Sequence, residues 1–295
     1  MTPPPAETPA PHSLQAIEAA HAALAPRVIE TPVVALASDR IAPHLPAGCE
    51  PVLKLEIFQQ SGSFKARGAL LNIDALGADE RAAGVTAVSA GNHALAVSWA
   101  AAREGVPAKV VMLQSSDPVR ISGCRALGAE VVLAPDVAAA FEEVARIEAE
   151  EGRAFIHPFD APLTLLGTAT CGLEFSRQAP GLDAVIVPIG GGGLIAGMAR
   201  AFKLTQPGCT VYGVEPEGAD TMHRSFAAGA PQKIERVRTI ADSLGAPMAL
   251  PYSFGEARRH VDELVLIDDG AMLRATALLF DALKIAVEPA AAAAT

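Results

Sequence analysis

A run of four glycines, Gly190, Gly191, Gly192 and Gly193, constrains the fold of this chain more than any other feature. It follows the apolar residues 184–187, which favour a buried strand, and precedes residues 194–200, which can form a helix. A strand, a loop without side chains and a helix start present backbone N–H groups to an anion, and the helix dipole adds to the attraction. The sequence therefore predicts an α/β unit with an anion site at a strand end.

The spacing of this loop fits neither common nucleotide-binding pattern. In Gly-x-Gly-x-x-Gly counted from Gly190, the third glycine is replaced by Ile195. No lysine follows in the register of Gly-x-x-x-x-Gly-Lys-Ser/Thr. A bound phosphate is expected, but a nucleotide-dependent oxidoreductase is the weakest of the function classes that the loop allows.

Lys65 lies among small and apolar residues, in Ser63-Phe64-Lys65-Ala66, at the start of a helix predicted over about 64–76. A lysine beside an aromatic ring in a protected pocket loses hydration of its ammonium group, and its pKa falls. The free amine can then form a Schiff base with an aldehyde. A surface lysine at a helix start would fit the local pattern too, but the glycine loop downstream favours the reactive lysine.

A second anion site is predicted where the strand over 85–88 joins the next helix. The joining residues are Ser89, Ala90, Gly91, Asn92 and His93. The amide of Asn92 is placed to bond a ligand oxygen, whereas His93 fits a capping or core histidine equally well. Two anion sites and a desolvated lysine together suggest a phosphorylated aldehyde and a substrate that carries a carboxylate.

Strands and helices alternate over residues 85–151 and again over 184–267, which predicts parallel sheets covered by helices. We expect a large domain of residues 13–80 and 161–295, with a small α/β domain of residues 81–160 inserted into it. The ligand site is expected in the cleft between the two domains. The proline-rich residues 1–12 are expected to form a disordered tail.

Composition limits the function classes further. The chain has 295 residues, 51% hydrophobic and 19% charged, which indicates a folded protein. A net charge of −10 without a basic run argues against a nucleic-acid partner. No uninterrupted apolar stretch has membrane-spanning length, and residues 1–11 lack the basic and apolar runs of a signal peptide. We therefore expect a cytoplasmic protein without a membrane partner.

The chain resembles the threonine/serine dehydratases, which are fold-type-II pyridoxal-phosphate enzymes, as is serine racemase. The resemblance rests on residues 61–69, residues 89–93 and the four glycines, in this order. Shorter matches are Thr31-Pro32, His157-Pro158-Phe159, Thr239-Ile240-Ala241-Asp242 and Val287-Glu288-Pro289. It covers nearly all of the chain after about residue 13. It implies two parallel-sheet α/β domains with the cofactor between them, and commonly a homodimer.

The resemblance also implies the roles of site residues. Lys65 would hold pyridoxal phosphate as a Schiff base and take the Cα proton of the substrate, with Phe64 against the cofactor ring. Asn92 would bond the 3′-hydroxyl of the cofactor, and Gly190, Gly191, Gly192 and Gly193 would hold its phosphate. Residues 89–93 would bind the substrate carboxylate. The implied reaction is α,β-elimination from a small β-hydroxy amino acid, L-threonine or L-serine, to a 2-oxo acid and ammonia.

Departures from the family pattern leave alternatives open. Ala90 replaces the serine that serves the racemase as its second acid/base, which disfavours racemisation. Glu215 and the carbonyl of Ala219 would be ligands of Mg²⁺ or Ca²⁺, but Thr221 replaces a third, anionic ligand. Ser243 replaces the usual glycine after Asp242 and is expected to reshape the substrate pocket.

Beyond the Glu-Pro-Ala stretch the family has a strand with a serine or cysteine that bonds the pyridine nitrogen, whereas the sequence given ends at Thr295. Either the sequence is truncated or another residue takes that role. The alternatives to a threonine/serine dehydratase are a serine or hydroxyaspartate racemase or dehydratase and a catalytically impaired pyridoxal-phosphate-binding homologue.

Overall fold

The computed structural model describes residues 12–295. The helices are α1 (Leu14–Leu24), α2 (Lys65–Asp74), α3 (Ala78–Ala83), α4 (Asn92–Glu104), α5 (Pro118–Ala126), α6 (Val137–Glu151), α7 (Pro162–Gln178), α8 (Gly193–Thr205), α9 (Thr221–Ala228), α10 (Pro251–His260), α11 (Asp269–Leu283) and α12 (Pro289–Ala292). The strands are β1 (Val33–Ala35), β2 (Val52–Lys54), β3 (Val85–Val88), β4 (Ala108–Leu113), β5 (Glu130–Ala134), β6 (Ala154–Phe155), β7 (Ala184–Pro188), β8 (Thr210–Pro216) and β9 (Glu263–Ile267). Residues 1–11 of the predicted tail lie outside the described residues, and His12 is buried against Tyr252.

Two parallel sheets carry the ligand loops. One has the strand order β5-β4-β3-β6 and the other the order β7-β8-β9, while β1 and β2 pair as an antiparallel hairpin. Helices connect the parallel strands, because a parallel pair needs a crossover connection. The predicted α/β fold class with parallel sheets is confirmed. The predicted domain limits stay a prediction.

The two sheets contribute to different buried clusters. Val85 and Val110 of the first sheet are fully buried in one cluster, and Val187 and Val211 of the second are 1% and 0% exposed in another. All four residues of β3 are buried, as expected for a central parallel strand covered on both faces. Helices α2 and α8 both pack against α7. No helix among residues 12–295 combines the length and apolar character that crossing a membrane requires.

The sequence predicts a short strand over residues 155–159, but in the structure β6 (Ala154–Phe155) already ends at Phe155. The chain turns after this point, and His157 Nδ1 accepts the backbone N–H of Asp160 at 2.8 Å. Pro158 has no N–H with which to continue a ladder. The turn leaves the carbonyl of Pro158 free for a side-chain donor.

Candidate active site

Lys65 is the first residue of α2; the residue as a whole is half-buried, and its amine is the part that is removed from water. The Nζ atom donates a hydrogen bond to the carbonyl oxygen of Pro158 and lies 5.1 Å from the centre of the Phe64 ring. Burial lowers the pKa of Lys65 from 10.5 to about 8, because loss of water disfavours the ammonium form. Near neutral pH roughly a tenth of this amine is unprotonated, against less than about one part in a thousand for an ordinary lysine.

Phe159 connects Lys65 with the glycine loop. Its ring lies directly on Gly191, where an added Cβ atom would come within 2.3 Å of the ring carbons. The preceding residue, Pro158, supplies the carbonyl that accepts from Lys65. The amine and the bare backbone of the loop therefore contact consecutive residues of one short segment.

The four glycines form the turn between β7 and α8. Gly192 has a φ of +90°, in the left-handed region that favours glycine, and an added Cβ there would lie 2.4 Å from Met222 Cε. Within the described part of the chain, the backbone N–H groups of residues 190–195 have no hydrogen-bond acceptor. Unpaired N–H groups at the start of a 13-residue helix form a site for an anion.

The segment 89–93 forms a similar turn before α4. Ser89 Oγ accepts the N–H of Gly91 at 3.0 Å, beside the half-buried Ala90. The N–H groups of Asn92 and His93 find no acceptor among residues 12–295, as a carboxylate site requires. The predicted anion sites therefore both have free donors.

His93 itself has the contacts of a core histidine. It is 3% exposed, and its Nε2 donates to the carbonyl of Ile156 at 2.8 Å. Burial lowers the pKa of His93 to about 3, so the ring is neutral. Its backbone N–H faces the predicted carboxylate site, and a contact of its side chain with substrate stays a prediction.

Asn92 bonds a residue to which the sequence assigned no role. Its Nδ2 donates to both carboxylate oxygens of Glu288, at 3.2 and 3.3 Å. Ser243 Oγ and Arg120 Nη2 donate to the same carboxylate at 2.8 and 2.7 Å. Glu288 lies in a motif of the family resemblance and could have been singled out, whereas no sequence signal marks Arg120.

A buried charge network behind Lys65 was also missed. Arg67 is fully buried in α2 and contacts the carboxylates of Glu56 and Glu174, and Lys54 donates to Glu174. The signal that could have found it is a charged residue within the small and apolar stretch 66–71 of α2, because a charge buried there requires a partner. The position of that partner could not have been predicted from the spacing.

A family model described as "Pyridoxal-phosphate dependent enzyme" matches residues 24–295. The chain belongs to this family. The phenylserine dehydratase of Ralstonia pickettii is 59% identical over 242 residues, which are 82% of this chain and 74% of that protein. The structure of maize serine racemase matches with a TM-score of 0.90 at 34% identity, covering 97% of this chain and 87% of that one. The structure of the T.th. threonine deaminase matches with a TM-score of 0.88 at 41% identity, covering 95% and 90%.

The residues of this pyridoxal-phosphate-dependent enzyme fit the cofactor. An aldehyde suits the weakly basic amine of Lys65, and a phosphate suits the unpaired N–H groups of residues 190–195. Beside the lysine, Ser61 and Ser63 carry buried hydroxyls without a partner among the described residues, and these can bond a ligand. When bound, the cofactor supplies a ring that stabilises negative charge at a substrate Cα. The 3′-hydroxyl contact of Asn92 stays a prediction.

The metal site expected at Glu215 and Ala219 gains no support. Both oxygens of Glu215 accept backbone N–H groups at the start of α9, from Met222 at 2.8 Å and His223 at 2.6 Å. Burial raises the pKa of Glu215 to about 8, although the two backbone N–H groups act in the opposite direction. Between residues 12 and 295, no group of three or more His, Cys, Asp or Glu side chains is arranged to hold a metal ion.

Proposed function

We propose that this enzyme removes water from β-hydroxy amino acids with an uncharged side chain, giving a 2-oxo acid and ammonia. One observation carries the proposal: a buried amine with a pKa of about 8 bonds Pro158, whose neighbour Phe159 lies on a loop of free N–H groups. The 59% identity to a phenylserine dehydratase makes 3-phenylserine the first substrate to test. L-Threonine and L-serine, the substrates expected from the sequence, come second.

Lys65 carries the proton transfer in this proposal. With a pKa of about 8, its amine can accept the Cα proton near neutral pH. The carbonyl of Pro158 accepts from the same amine and fixes its direction. The free N–H groups of Asn92 and His93 hold the substrate carboxylate, and those of residues 190–195 hold the phosphate. In total, the Cα proton and the β-hydroxyl are lost as one water molecule, and the enamine that is released hydrolyses to the 2-oxo acid and ammonia.

Partly exposed aromatic rings near Lys65 support an aryl substrate. The centre of the Phe64 ring lies 5.1 Å from Lys65 Nζ, and the ring of Phe159 lies on Gly191 of the glycine loop. Aromatic pairs in offset or edge-to-face contact are more stable than area burial alone provides, by about 0.5–1.5 kcal/mol. A phenyl group at the β-carbon can make such contacts, whereas the methyl group of threonine cannot.

The charges near Asn92 disfavour a substrate with a second carboxylate. Arg120 bonds Glu288 and lies 3.8 Å from Asp242, so one cation faces two carboxylates. Arg120, Glu288 and Asp242 together have a net negative charge, which repels a second carboxylate on the substrate. We therefore place 3-hydroxyaspartate below the uncharged hydroxy amino acids as a substrate.

Elimination is favoured over racemisation because Ala90 carries no ionisable group. Racemisation needs an acid or base on each face of Cα, and Lys65 supplies only one of them.

The homodimer implied by the family resemblance belongs to the proposal as well, and sedimentation velocity of the purified protein tests it.

A keto-acid assay over 3-phenylserine, L-threonine, L-serine and 3-hydroxyaspartate, with added pyridoxal phosphate, tests the function. We expect the highest kcat/KM with 3-phenylserine and the lowest with 3-hydroxyaspartate. Lys65→Ala should abolish turnover, and Lys233→Ala, at an exposed lysine, should retain it. Turnover that survives in Lys65→Ala, or the absence of keto acid from every substrate, would contradict the proposal.

A further inference from the structure

We propose that Glu288 is a positioning residue that orients the amide of Asn92 toward the cofactor. This inference rests on the proposed function, because it takes Asn92 to bond the 3′-oxygen of pyridoxal phosphate. Glu288 precedes α12 as its N-cap residue, yet its carboxylate makes no capping bond to that helix. It accepts instead from Asn92, and both of its oxygens take part.

The carboxylate of Glu288 is itself held from two sides. Ser243 Oγ donates to Oε2 at 2.8 Å, and Arg120 Nη2 donates to Oε1 at 2.7 Å. Arg120 lies against the loop that contains Asn92, since an added Cβ at Gly91 would be 2.7 Å from its Nη1. Donors on α4, on α5 and in the segment before α10 therefore converge on one carboxylate.

This arrangement fixes which way the Asn92 amide points. A carboxylate is an acceptor only, so it selects the NH₂ end of the amide and directs Oδ1 away from itself. Hydrogen bonds to a charged group are stronger than bonds between neutral groups, which limits flipping of the amide. The remaining N–H and the Oδ1 atom are then presented to a ligand in one orientation.

The inference also explains the departure at position 243. A glycine there, as in the family pattern, would leave Oε2 of Glu288 without its hydroxyl donor. Ser243 therefore acts on the cofactor site through two successive hydrogen bonds, first to Glu288 and then to Asn92. We assign Ser243 to the same positioning unit.

A double-mutant cycle on the full chain tests the proposal, with the Kd for pyridoxal phosphate measured by equilibrium dialysis and the absorbance spectrum of the bound cofactor recorded. Glu288→Ala and Asn92→Ala should each raise the Kd about fivefold and change the ratio of the cofactor's absorbance bands. The double variant should be no weaker than the weaker single variant, because both changes remove the same oriented amide. Multiplied effects would overturn the proposal.

The control is Asp242→Asn, which removes a negative charge beside Arg120 without touching Asn92. Its Kd should stay within about twofold of the wild type, because the carboxylate that it replaces is 74% exposed and 3.8 Å from Arg120, and such a pair contributes little. An equal loss in this variant and in Glu288→Ala would assign the effect to charge alone and overturn the positioning role.

The failure of this inference can be told from failure of the proposed function, because the inference is tested by cofactor Kd and spectrum and the function by release of keto acid. If Asn92→Ala leaves both Kd and spectrum unchanged, the contact assigned to Asn92 is wrong, and the inference falls with it. If Asn92→Ala changes both and Glu288→Ala changes neither, only the positioning role is overturned. Should Glu288→Ala not fold, Ser243→Gly removes one donor to the carboxylate, and an unchanged Kd and spectrum there would overturn the proposal.

Discussion

Arg67 and Glu174 form an ion pair sealed from solvent between α2 and α7, with Nη1–Oε2 and Nη2–Oε1 distances of 3.0 and 3.1 Å. Their side chains are 0% and 2% exposed. The same guanidinium donates to Glu56 at 2.8 and 2.7 Å, and Glu174 accepts from Lys54. Two cations and two carboxylates thus neutralise one another around Arg67, which is two residues after Lys65 in α2. These contacts fix the helical turn that carries the Lys65 amine.

Replacement of Arg67 should destabilise the fold strongly. In Arg67→Met, Glu174 keeps Lys54 as a cationic partner, whereas Glu56, whose side chain is only 13% exposed, loses the guanidinium that it contacts. We expect the free energy of unfolding to fall by about 3–5 kcal/mol, because a buried charge is left without a partner. Urea denaturation of the cofactor-free protein measures the change.

Arg177→Met, also on α7, is the control for this substitution. Arg177 pairs with Glu18 at 2.7 Å, but the two side chains are 50% and 48% exposed. An exposed pair contributes less than about 1 kcal/mol, so the free energy of unfolding should change little. Equal losses of unfolding free energy in the two arginine variants would show that the buried Arg67 network stabilises the fold no more than an exposed ion pair does.

The stability of the cofactor-free protein should depend on the protonation of Lys65. Burial lowers its pKa from 10.5 to about 8, so between these pH values the unfolded chain binds the extra proton. The free energy of unfolding therefore rises as the pH increases through this window, and Lys65→Met lacks that rise. At about pH 7 we expect the variant to be more stable by up to about 3 kcal/mol.

Urea denaturation at several pH values tests the sign of this effect. The advantage of Lys65→Met over the wild type should shrink above about pH 8 and be smallest above about pH 10.5. Lys233→Met, at an exposed lysine, is the matched control for the loss of a lysine side chain. A constant difference for Lys65→Met would mean that its amine keeps the pKa of an ordinary lysine.

A methyl group in the glycine loop should weaken cofactor binding. In Gly191→Ala the new Cβ would meet the ring of Phe159 at 2.3 Å, so the ring and the adjoining Pro158 must move. We expect at least a tenfold higher Kd for pyridoxal phosphate and a stability loss of about 1–3 kcal/mol from overpacking. Gly208→Ala, with no neighbour within 4 Å, is the matched control for dialysis and urea denaturation. A Kd equal to that of the control would contradict the steric account.

The parts of the site that the sequence predicts are those built from neighbouring residues. The glycine loop could be found because the preceding strand, the turn and the helix start are contiguous, and each leaves a local pattern. Lys65 could be singled out by the apolar residues beside it. The strand over 155–159 was too long because periodicity does not report the turn that His157 and Pro158 make.

The contacts that no local pattern reports are those between distant residues. Asn92 and Glu288 are 196 positions apart, and Arg67 and Glu174 are 107 positions apart. Their pairing depends on how helices pack, which single-sequence periodicity does not contain. The metal site gained no support for the same reason, because the sequence gives no sign that Glu215 already accepts two N–H groups of α9.

The last prediction concerns the choice between elimination and racemisation. Ala90 lies between Ser89 and Gly91 in the loop proposed to bind the substrate carboxylate, and it offers no proton. The family resemblance implies that position 90 lies on the face of Cα opposite Lys65, where the hydroxyl of Ala90→Ser could donate a proton to Cα or accept one. A positioned acid or base contributes about 10²–10⁴-fold to a rate, so the ratio of D-serine to pyruvate formed from L-serine should rise by at least tenfold.

Chiral chromatography together with the keto-acid assay measures this ratio. Ala90→Val adds bulk without a proton and should leave the ratio near the wild-type value, since it can lower both rates but supplies no second base. An unchanged ratio in Ala90→Ser would mean that position 90 does not face Cα. An equal rise in both variants would assign the effect to the shape of the loop, because a valine side chain cannot transfer a proton.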